Sequence, residues 1–340
     1  MSTQPFSDNY SGEKPKRPLK RLMLTNRNNM QVQLVDYGSR IIGIRIPNAD
    51  GKMIEATLSD RADYDIINDA AFKGATCGRF ANRIGGAQYS VNDAAGNKTV
   101  KLHANEGQNI LHGGKTGFSQ RQWTIKYHRK TAGFDSVCFI LHSVHGENGF
   151  AGNLDASVVY TLFHDNRLAI EFSATCDRLS PINMCNHTYF NLGERDIHQL
   201  KLELNADGFL ETNRQSIPTG RVLRVSHRDS WLNSKRIGEM LRYKDFDDCY
   251  LIKRSSNTKQ NDPHNCARLI SHKNKLGLSI SSNHIGMQVY TGNYLPAKYA
   301  AIALEAQGLP DSVNHSHFQT DWVAPNKPYS KEISYTFFDL

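Results

Sequence analysis

The chain has 340 residues, of which 39% are hydrophobic, 9% aromatic and 22% charged, a balance typical of a globular protein with a sizeable core. No segment approaches the roughly 18 consecutive apolar residues of a membrane-spanning helix, so we expect no membrane association. The net charge is +8, but the one dense basic cluster lies at residues 14–21 and no nucleic-acid-binding module is recognisable, so we expect no nucleic-acid partner.

The N-terminal stretch is polar, basic and rich in proline. We interpret residues 1–20 as a flexible basic tail that precedes one domain spanning residues 21–340. The stretch lacks the apolar segment of a secretory signal, so we expect a cytoplasmic protein. The six cysteines form no Cys-x-x-Cys pair, and a chain of this length does not need disulfide bonds. We therefore predict free, buried thiols.

From residue 21 onward, short β-prone runs alternate with turn residues. The run at residues 30–37 alternates polar and apolar side chains, as a half-buried strand does, and residues 48–51 resemble a hairpin turn. One short helix is predicted within residues 59–71, capped by Ser59 or Asp60. Further strands are predicted at residues 41–46, 88–91, 100–103, 122–127, 136–144, 155–163, 167–175, 200–205, 208–211, 248–253, 267–271, 276–281, 287–290, 302–306 and 331–337. This pattern predicts an all-β fold, a large antiparallel sandwich or barrel.

Two glycine-containing motifs come first along the chain. GRFANRIGG, residues 78–86, combines two arginines and an asparagine with paired glycines. Guanidinium groups suit ligands with several hydroxyl groups or a carboxylate, although a surface turn with salt bridges explains the same residues. In LHGG, His112 precedes two glycines, which either let the backbone approach a ligand closely or simply form a turn.

The run NMCNHTYFNLG, residues 183–193, places His187 among β-prone aromatic residues and several asparagines. We predict that His187 lies on a strand and is held stiffly between Pro181 and Gly193. A rigid histidine with amides beside it can transfer protons. The alternative is a core histidine whose hydrogen bonds its neighbours satisfy.

Three later strands carry polar side chains among apolar ones. In FDDCY, Asp247 and Asp248 head a strand, where one of them could bind hydroxyl groups of a ligand or cap a turn. Gln288 lies on the strand predicted at residues 287–290. Glu305 stands inside the apolar run IALEA, and burial there would raise its pKa and make it a better base near neutral pH.

Two other interpretations of the titratable residues remain open. Glu305 could instead form a structural ion pair with Arg79 or Arg83. The 14 histidines include no His-x-x-x-His on a predicted helix, so we expect no metal site. The pairs His142/His145 and His315/His317 are interpreted as surface or local polar residues.

Taken in order, these segments resemble the aldose 1-epimerase (mutarotase) family of the galactose mutarotase type. The resemblance covers about residues 25–337 and is carried by GRFANRIGGAQYSV, NILHGG, NMCNHTYFNLG, FDDCYLI, GMQVYTGNYL and ALEAQGLPDSVN. It implies a large antiparallel β-sandwich with few short helices. It also implies an isomerase that binds a free aldopyranose in an open cleft without metal or cofactor. We expect a monomer or homodimer.

The resemblance also implies roles for individual residues. Glu305 corresponds to the general base that takes the proton of the anomeric hydroxyl, and His187 to the general acid that protonates the ring oxygen. His112 corresponds to a second histidine near the ring oxygen. The implied hydroxyl-binding set is Asn82, Arg83, Asp247 and Gln288. Because this assignment needs a protonated His187, we expect an acidic neighbour to raise its pKa.

The sequence departs from the family pattern at two positions close to these residues. Asp248 stands where the family commonly has histidine, and Ala306 where it often has threonine. Both departures put the sugar preference, galactose or glucose, in doubt. Two alternatives remain: a related epimerase that acts on a sugar phosphate, bound by Arg79 and Arg83, or on the reducing end of an oligosaccharide; and a non-catalytic carbohydrate-binding protein.

Overall fold

The computed structural model describes residues 13–93, 96–225, 233–254 and 262–340, and within them the chain is mostly β-structure. The first strands are β1 (Arg21–Thr25), β2 (Gln31–Val35), β3 (Arg40–Pro47), β4 (Met53–Glu55), β5 (Thr57–Leu58), β6 (Thr76–Cys77), β7 (Arg83–Ile84), β8 (Gln88–Asp93), β9 (Gly96–Lys101) and β10 (Ile110–Leu111). The middle strands are β11 (Thr124–Lys130), β12 (Phe134–Ser143), β13 (Leu154–Phe163), β14 (Arg167–Cys176), β15 (Ser180–Pro181), β16 (Cys185–Asn186), β17 (Tyr189–Phe190), β18 (Lys201–Leu204), β19 (Ala206–Thr212) and β20 (Pro218–Arg224). The last are β21 (Asn233–Arg236), β22 (Asp247–Ile252), β23 (His264–Ser271), β24 (Leu276–Ser282), β25 (Gly286–Tyr290), β26 (Ile302–Gln307), β27 (Trp322–Val323) and β28 (Tyr329–Asp339). The helices are α1 (Asp63–Ile67) and α2 (Ile237–Met240), and short 3₁₀ turns lie at Gly85–Ala87, Phe118–Gln120, Glu147–Gly149 and Ser312–Asn314.

Two large antiparallel sheets dominate the described structure. One has nine strands in the order β11-β12-β13-β14-β28-β24-β23-β18-β21, and the other has seven in the order β20-β19-β22-β25-β26-β17-β5. A four-stranded sheet, β1-β2-β3-β4, lies at the N-terminal end, and two-stranded ribbons such as β7–β10 and β6–β16 connect the rest. The predicted antiparallel β-sandwich is therefore confirmed.

The main core lies between the two large sheets. Phe172 and Ile333 of the nine-stranded sheet and Val289 and Leu304 of the seven-stranded sheet belong to one buried apolar cluster. In each large sheet every second residue along a strand is therefore apolar and points into this core, because successive side chains of a strand point to opposite faces. On the seven-stranded sheet the opposite face is left available for polar side chains, and this face positions the site described below.

The predicted strands all overlap observed ones, but the helix differs in its bounds. It spans Asp63–Ile67, shorter than residues 59–71, and neither Ser59 nor Asp60 caps it. Its N-cap is Ala62, which offers no side-chain hydrogen bond, while the Ser59 hydroxyl donates to the Ile42 carbonyl at 2.6 Å. The capping residue expected from the sequence thus has a tertiary partner instead.

The predicted tail, residues 1–20, lies partly outside the described residues, which begin at residue 13. From there the segment is held on the sandwich, in contrast to a flexible tail. Arg17 pairs with the fully buried carboxylate of Asp36 and donates to the Trp123 carbonyl at 2.7 Å. The Lys20 backbone N–H donates to the same carboxylate at 3.0 Å. This part of the chain therefore contributes to the fold.

Two sequence-based expectations concern membrane helices and cysteines. The helices within the described ranges are too short and too polar to cross a bilayer. All six cysteines are free and buried, as predicted.

Candidate active site

Three adjacent strands of the seven-stranded sheet present polar residues on the face away from the core. Glu305 on β26 is the cross-strand partner of Gln288 on β25, and Asp247 begins the next strand, β22. Their sequence neighbours Met287 and Leu304 point into the main core, because successive strand residues alternate in direction. Gln288 Nε2 donates to Asp247 Oδ1 at 2.6 Å, and Gln288 Oε1 is buried without a hydrogen-bond partner. The alternation thus collects three predicted site residues on one face.

His187 lies between β16 and β17 and not within a strand, which corrects the sequence-based expectation. Its backbone is fixed all the same. The His187 N–H donates to the Ala75 carbonyl at 2.9 Å, and its carbonyl accepts the Gly74 N–H at 2.9 Å. The imidazole packs on the Tyr189 ring with a centroid distance of 5.0 Å. The histidine is held stiffly by two segments instead of by one strand.

The two glycine motifs meet in the ribbon β7–β10, which places Asn82 and Arg83 beside His112. The His112 N–H donates to the Asn82 carbonyl at 3.0 Å, and the Asn82 N–H donates to His112 Nδ1 at 3.2 Å. Gly113 has a φ of +83°, and a Cβ there would stand 2.0 Å from the Gly78 carbonyl oxygen. The glycines therefore let two backbone segments of the protein approach each other, instead of a ligand.

These segments converge on a cleft of about 520 Å³. At its base His187 Nε2 lies 3.4 Å from Glu305 Oε1, and His112, His187 and Glu305 each have one nitrogen or oxygen within 4.8 Å of the other two. All three side chains are buried. The predicted hydroxyl-binding residues also line the cleft: Asn82, Arg83, Asp247 and Gln288. The structure therefore brings all seven sequence-predicted site residues together.

Phe72 is a cleft residue that the sequence analysis missed. Its ring lies 4.6 Å from that of His112 and 5.9 Å from that of His187, centroid to centroid. Phe72 has a φ of +57°, and its loop is anchored by Asp69, which accepts the backbone N–H of Lys73 at 2.6 Å and pairs with Arg40 at 2.5 Å. The Arg40–Asp69 pair is almost completely buried. Nothing local in the sequence marks Phe72, because this buried pair joins residues far apart in the chain.

Other residues that the sequence did not point to also line the cleft. They are Glu106, Gln108, Asn109, Arg214, Gln215, Ser216, Asp245, Asn293 and Tyr294. Asn293 stands inside the motif GMQVYTGNYL, so its position in a turn after β25 was the available signal. Its Oδ1 is buried without a hydrogen-bond partner, which leaves an acceptor for a ligand hydroxyl.

Burial acts in opposite directions on the two groups at the base of the cleft. It raises the pKa of Glu305 from 4.5 to about 8, and it lowers the pKa of His187 from 6.5 to about 4. The expectation that an acidic neighbour raises the pKa of His187 is therefore wrong. Desolvation of the imidazole outweighs the attraction of the Asp69 charge, and Glu305, 3.4 Å away, is itself held protonated by its raised pKa. Near neutral pH the resting pair consists of a neutral imidazole and a protonated carboxyl group.

His112 is also neutral, because burial and the nearby His187 lower its pKa well below 6.5. Its Nδ1 accepts a backbone N–H, so Nε2 carries the ring proton. Together with His187 and Glu305, His112 forms the one cluster of three possible metal ligands among the described residues. A metal ligand must offer a lone pair, so this tautomer of His112 does not fit metal coordination through Nε2. It fits a hydrogen-bond donor.

The two arginines of the GRFANRIGG motif have structural partners. Arg79 donates to the Ser143 carbonyl at 2.7 Å and to the Val144 carbonyl at 2.9 Å, and it does not line the cleft. Arg83 does line the cleft, where its guanidinium binds Glu106 through two hydrogen bonds of 2.7 and 2.9 Å. The two arginines considered for binding a phosphate group therefore do not face the same cleft.

The two departures from the family pattern face away from the cleft. Asp248 pairs with Lys244 at 2.6 Å, whereas its neighbour Asp247 lines the cleft. Ala306 is completely buried in the main core. Neither residue is placed to contact a ligand in the cleft, so the doubt about sugar preference does not rest on direct contacts of these side chains.

Comparisons with known proteins identify relatives along nearly the whole chain. The family model described as aldose 1-epimerase matches residues 20–336. An aldose 1-epimerase of Haemophilus influenzae is 35% identical over 323 residues, covering 89% of this chain and 90% of the relative. An aldose 1-epimerase of Escherichia coli is 34% identical over 343 residues, with coverage of 94% and 96%. A maltose epimerase of Levilactobacillus brevis is 28% identical, with coverage of 96% and 97%.

The fold comparison gives the same result. The crystal structure of an aldose epimerase homologue from C. elegans has a TM-score of 0.86 at 26% identity, covering 95% of this chain and 99% of that one. Sequence and structure agree over nearly the whole length. The protein is therefore an isomerase that belongs to the aldose 1-epimerase family.

Proposed function

We propose that this protein interconverts the α and β anomers of a free aldohexose of the galactose or glucose type by opening and reclosing the pyranose ring. The observation that carries this proposal is the pairing of Glu305 and His187 at 3.4 Å at the buried end of a cleft. Ring opening requires one proton to leave the anomeric hydroxyl and one to reach the ring oxygen. Two groups this close can reach both oxygens on the hemiacetal carbon, the anomeric hydroxyl and the ring oxygen.

In the proposed cycle Glu305 takes the proton of the anomeric hydroxyl while His187 delivers a proton to the ring oxygen. The C1–O5 bond breaks and the anomeric C–O bond becomes the aldehyde carbonyl. Rotation about C1–C2 presents the other face of the aldehyde, and the two residues exchange roles as the ring closes. Each group contributes roughly 10²- to 10⁴-fold to the rate.

The proton content of the pair supports this cycle even though the resting forms differ from the active ones. A neutral His187 with a protonated Glu305 carries the same number of protons as a protonated His187 with an ionised Glu305. Moving one proton from Glu305 Oε1 to His187 Nε2, 3.4 Å away, converts one form into the other. The pair therefore holds one transferable proton between pH about 4 and about 8.

The other site residues have roles that follow from their hydrogen-bonding capacity. We assign His112, with its proton on Nε2, as a donor to the ring-oxygen side of the sugar. Asn82, Arg83, Asp247 and Gln288 hold the hydroxyl groups, and the unpartnered Gln288 Oε1 offers an acceptor among them. A ligand hydroxyl that satisfies a buried orphan acceptor removes a desolvation cost of about 1–3 kcal/mol.

A second candidate substrate is the reducing end of an oligosaccharide. The lining of the cleft of about 520 Å³ includes Arg214, Gln215 and Ser216, of which Arg214 and Gln215 are exposed and therefore lie toward its mouth. This outer part could hold a second sugar ring. A sugar phosphate is disfavoured, because Arg79 lies outside the cleft and Arg83 is already paired with Glu106.

Polarimetry tests the proposal. Freshly dissolved α-D-galactose, α-D-glucose and α-maltose are followed in dilute buffer with increasing protein concentration. We expect the first-order rate constant of mutarotation to rise linearly with protein for at least one monosaccharide. A higher kcat/KM for maltose than for both monosaccharides would select the second candidate. No acceleration by folded protein with any of the three sugars would refute the proposed function.

A further inference from the structure

The two oxygens of the Glu305 carboxyl group have different surroundings. Oε1 lies 3.4 Å from His187 Nε2, on the side of the cleft. Oε2 accepts a hydrogen bond from the Sγ–H of Cys185 at 3.4 Å. Cys185 lies on β16, is completely buried and does not line the cleft. Its thiol therefore contacts the carboxyl group from outside the cleft lining, where a sugar in the cleft would not touch it.

The thiol keeps the proton that it donates. Burial raises the pKa of Cys185 well above 9, so it stays protonated at any pH at which the protein would work. β16 pairs with β6, and Cys77 is the cross-strand partner of Cys185. Cys77 is equally buried, but it makes no hydrogen bond to Glu305 among the described contacts. The chain thus contains two matched buried thiols, of which one touches the carboxyl group.

We propose that Cys185 is a positioning residue for Glu305: its thiol holds Oε2 and thereby directs Oε1 toward His187 and the substrate. This inference rests on the proposed epimerase function for its meaning in the reaction. A carboxyl group rotates freely about its terminal torsion unless a partner fixes one oxygen. A thiol is a weak donor, so it orients the carboxylate without stabilising its charge strongly. Glu305 is thereby aligned and still remains a base of raised pKa.

The decisive variant is Cys185→Ala, with Cys77→Ala as the matched control. Removing the donor withdraws a hydrogen bond that favours the ionised carboxylate, so the pKa of Glu305 should rise. We expect the alkaline limb of the kcat profile to move up by about half to one pH unit and kcat to fall roughly tenfold, with KM changed less than about twofold. Cys77→Ala leaves an equal void in the same strand pair and removes a partner of the Cys185 thiol, but it removes no donor to Glu305, so the alkaline limb should stay in place.

Cys185→Ser restores a donor at the same position. We expect both its kcat and its alkaline limb to lie between those of the wild-type protein and Cys185→Ala. Equal shifts in Cys185→Ala and Cys77→Ala would overturn the proposal, because packing alone would then explain both. An unshifted alkaline limb in Cys185→Ala would overturn it as well.

A second measurement separates this inference from the proposed function. The carboxyl ¹³C resonance of Glu305, identified by its absence in Glu305→Gln, is titrated in the wild-type protein and in the three cysteine variants. A rise in its midpoint in Cys185→Ala, absent in Cys77→Ala, supports the thiol contact whether or not any sugar is turned over. If the wild type accelerates no mutarotation while this midpoint shifts, the proposed function fails and the contact stands. An unchanged midpoint refutes the contact.

Discussion

Two buried histidine clusters in this protein have similar burial and different chemistry. The cleft cluster consists of His112, His187 and Glu305, and the His284 cluster consists of His284 with its partners Ser282, Met184 and Tyr329. Burial lowers the pKa of His187 to about 4 and that of His284 to about 3. Depressed pKa values alone therefore do not distinguish the two clusters.

The hydrogen bonds do distinguish them. His284 Nδ1 lies 2.9 Å from the Ser282 hydroxyl, and Nε2 donates to the Met184 carbonyl at 3.0 Å, so each ring nitrogen has a polar partner within the fold. His187 Nε2 faces Glu305 at 3.4 Å and borders the cleft. A buried polar group whose partners are complete stabilises a structure, whereas one that borders a cleft beside a second titratable group can exchange protons with a ligand.

The largest expected effect is that of Glu305→Gln. We expect kcat to fall by roughly 10²- to 10⁴-fold with little change in KM, because the amide keeps the shape of the side chain and cannot take a proton. Polarimetry with the monosaccharide that the wild-type protein turns over fastest measures this loss. A variant with undiminished turnover would refute the assignment of Glu305 as the base.

The same variant should gain stability at alkaline pH. Folded Glu305 keeps its proton up to a pKa of about 8, whereas the unfolded group ionises near 4.5. The unfolded state therefore binds fewer protons between these values, and the stability of the wild-type protein falls as pH rises through them. Glutamine does not ionise. We expect urea unfolding at pH 8 to show Glu305→Gln as the more stable protein, whereas a structural ion pair would make it less stable.

His187→Asn should also lose roughly 10²- to 10⁴-fold in kcat, because no other side chain is assigned to protonate the ring oxygen. It sharpens the comparison with His284, which is equally buried. The control is the far-UV and near-UV circular dichroism of the variant, which should match the wild-type spectra. Retention of more than about a tenth of the wild-type kcat would be incompatible with the acid role, given the contribution expected of such a group.

The pH dependence of kcat/KM tests the opposite pKa shifts of the cleft cluster. Below pH about 4 both His187 and Glu305 are protonated and no base remains, and above about 8 both are deprotonated and no acid remains. We expect a plateau between these values and a loss of about tenfold per pH unit beyond either one. Dilute buffers limit the buffer-catalysed reaction. An acid limb near 6.5 would show that His187 titrates as in water and would contradict its desolvation.

His284→Asn should instead lower stability and spare the chemistry. The variant leaves at least one buried partner unsatisfied, which costs about 1–3 kcal/mol of unfolding free energy. Urea unfolding measures this loss, and polarimetry of the folded protein should show kcat within about threefold of the wild type, since no catalytic group is removed. A loss of kcat as large as that of His187→Asn would remove the distinction between the two clusters.

The sequence predicted the fold well, because strands alternate their side chains over distances of two residues. The run 167–175 and the observed β14 (Arg167–Cys176) nearly coincide for this reason. The predicted helix cap was wrong, because the Ser59 hydroxyl instead donates to a carbonyl on β3, a tertiary contact that no local sequence pattern reveals. Residue 17 was assigned to a tail because its partner, Asp36, is identified only by tertiary structure.

For the site, the sequence identified residues whose type is unusual for their surroundings. Glu305 stood out as a carboxylate in an apolar run, and the structure places it at the base of the cleft. Phe72 could not stand out, because an aromatic residue in a loop is ordinary and its contact with two imidazoles depends on the buried Arg40–Asp69 pair. The predicted direction of the His187 pKa shift was also wrong. That direction depends on how deeply the imidazole is buried, which the composition of the sequence does not reveal.

The smallest expected effect comes from Asp248, which follows the cleft residue Asp247 directly on β22. Strand alternation turns Asp247 toward Gln288 and Asp248 toward Lys244, so one carboxylate lines the cleft and the other does not. We expect Asp248→Asn to change kcat/KM less than about twofold and to leave the galactose-to-glucose ratio unchanged, since this carboxylate is paired with Lys244 and does not line the cleft. Asp247→Asn, the matched variant, should lose about 10- to 100-fold, as expected for a hydrogen bond to a charged group. A change in the galactose-to-glucose ratio of kcat/KM in Asp248→Asn would mean that this residue affects the ligand indirectly, through its strand. Whether a side chain faces the cleft would then no longer distinguish functional polar residues from structural ones.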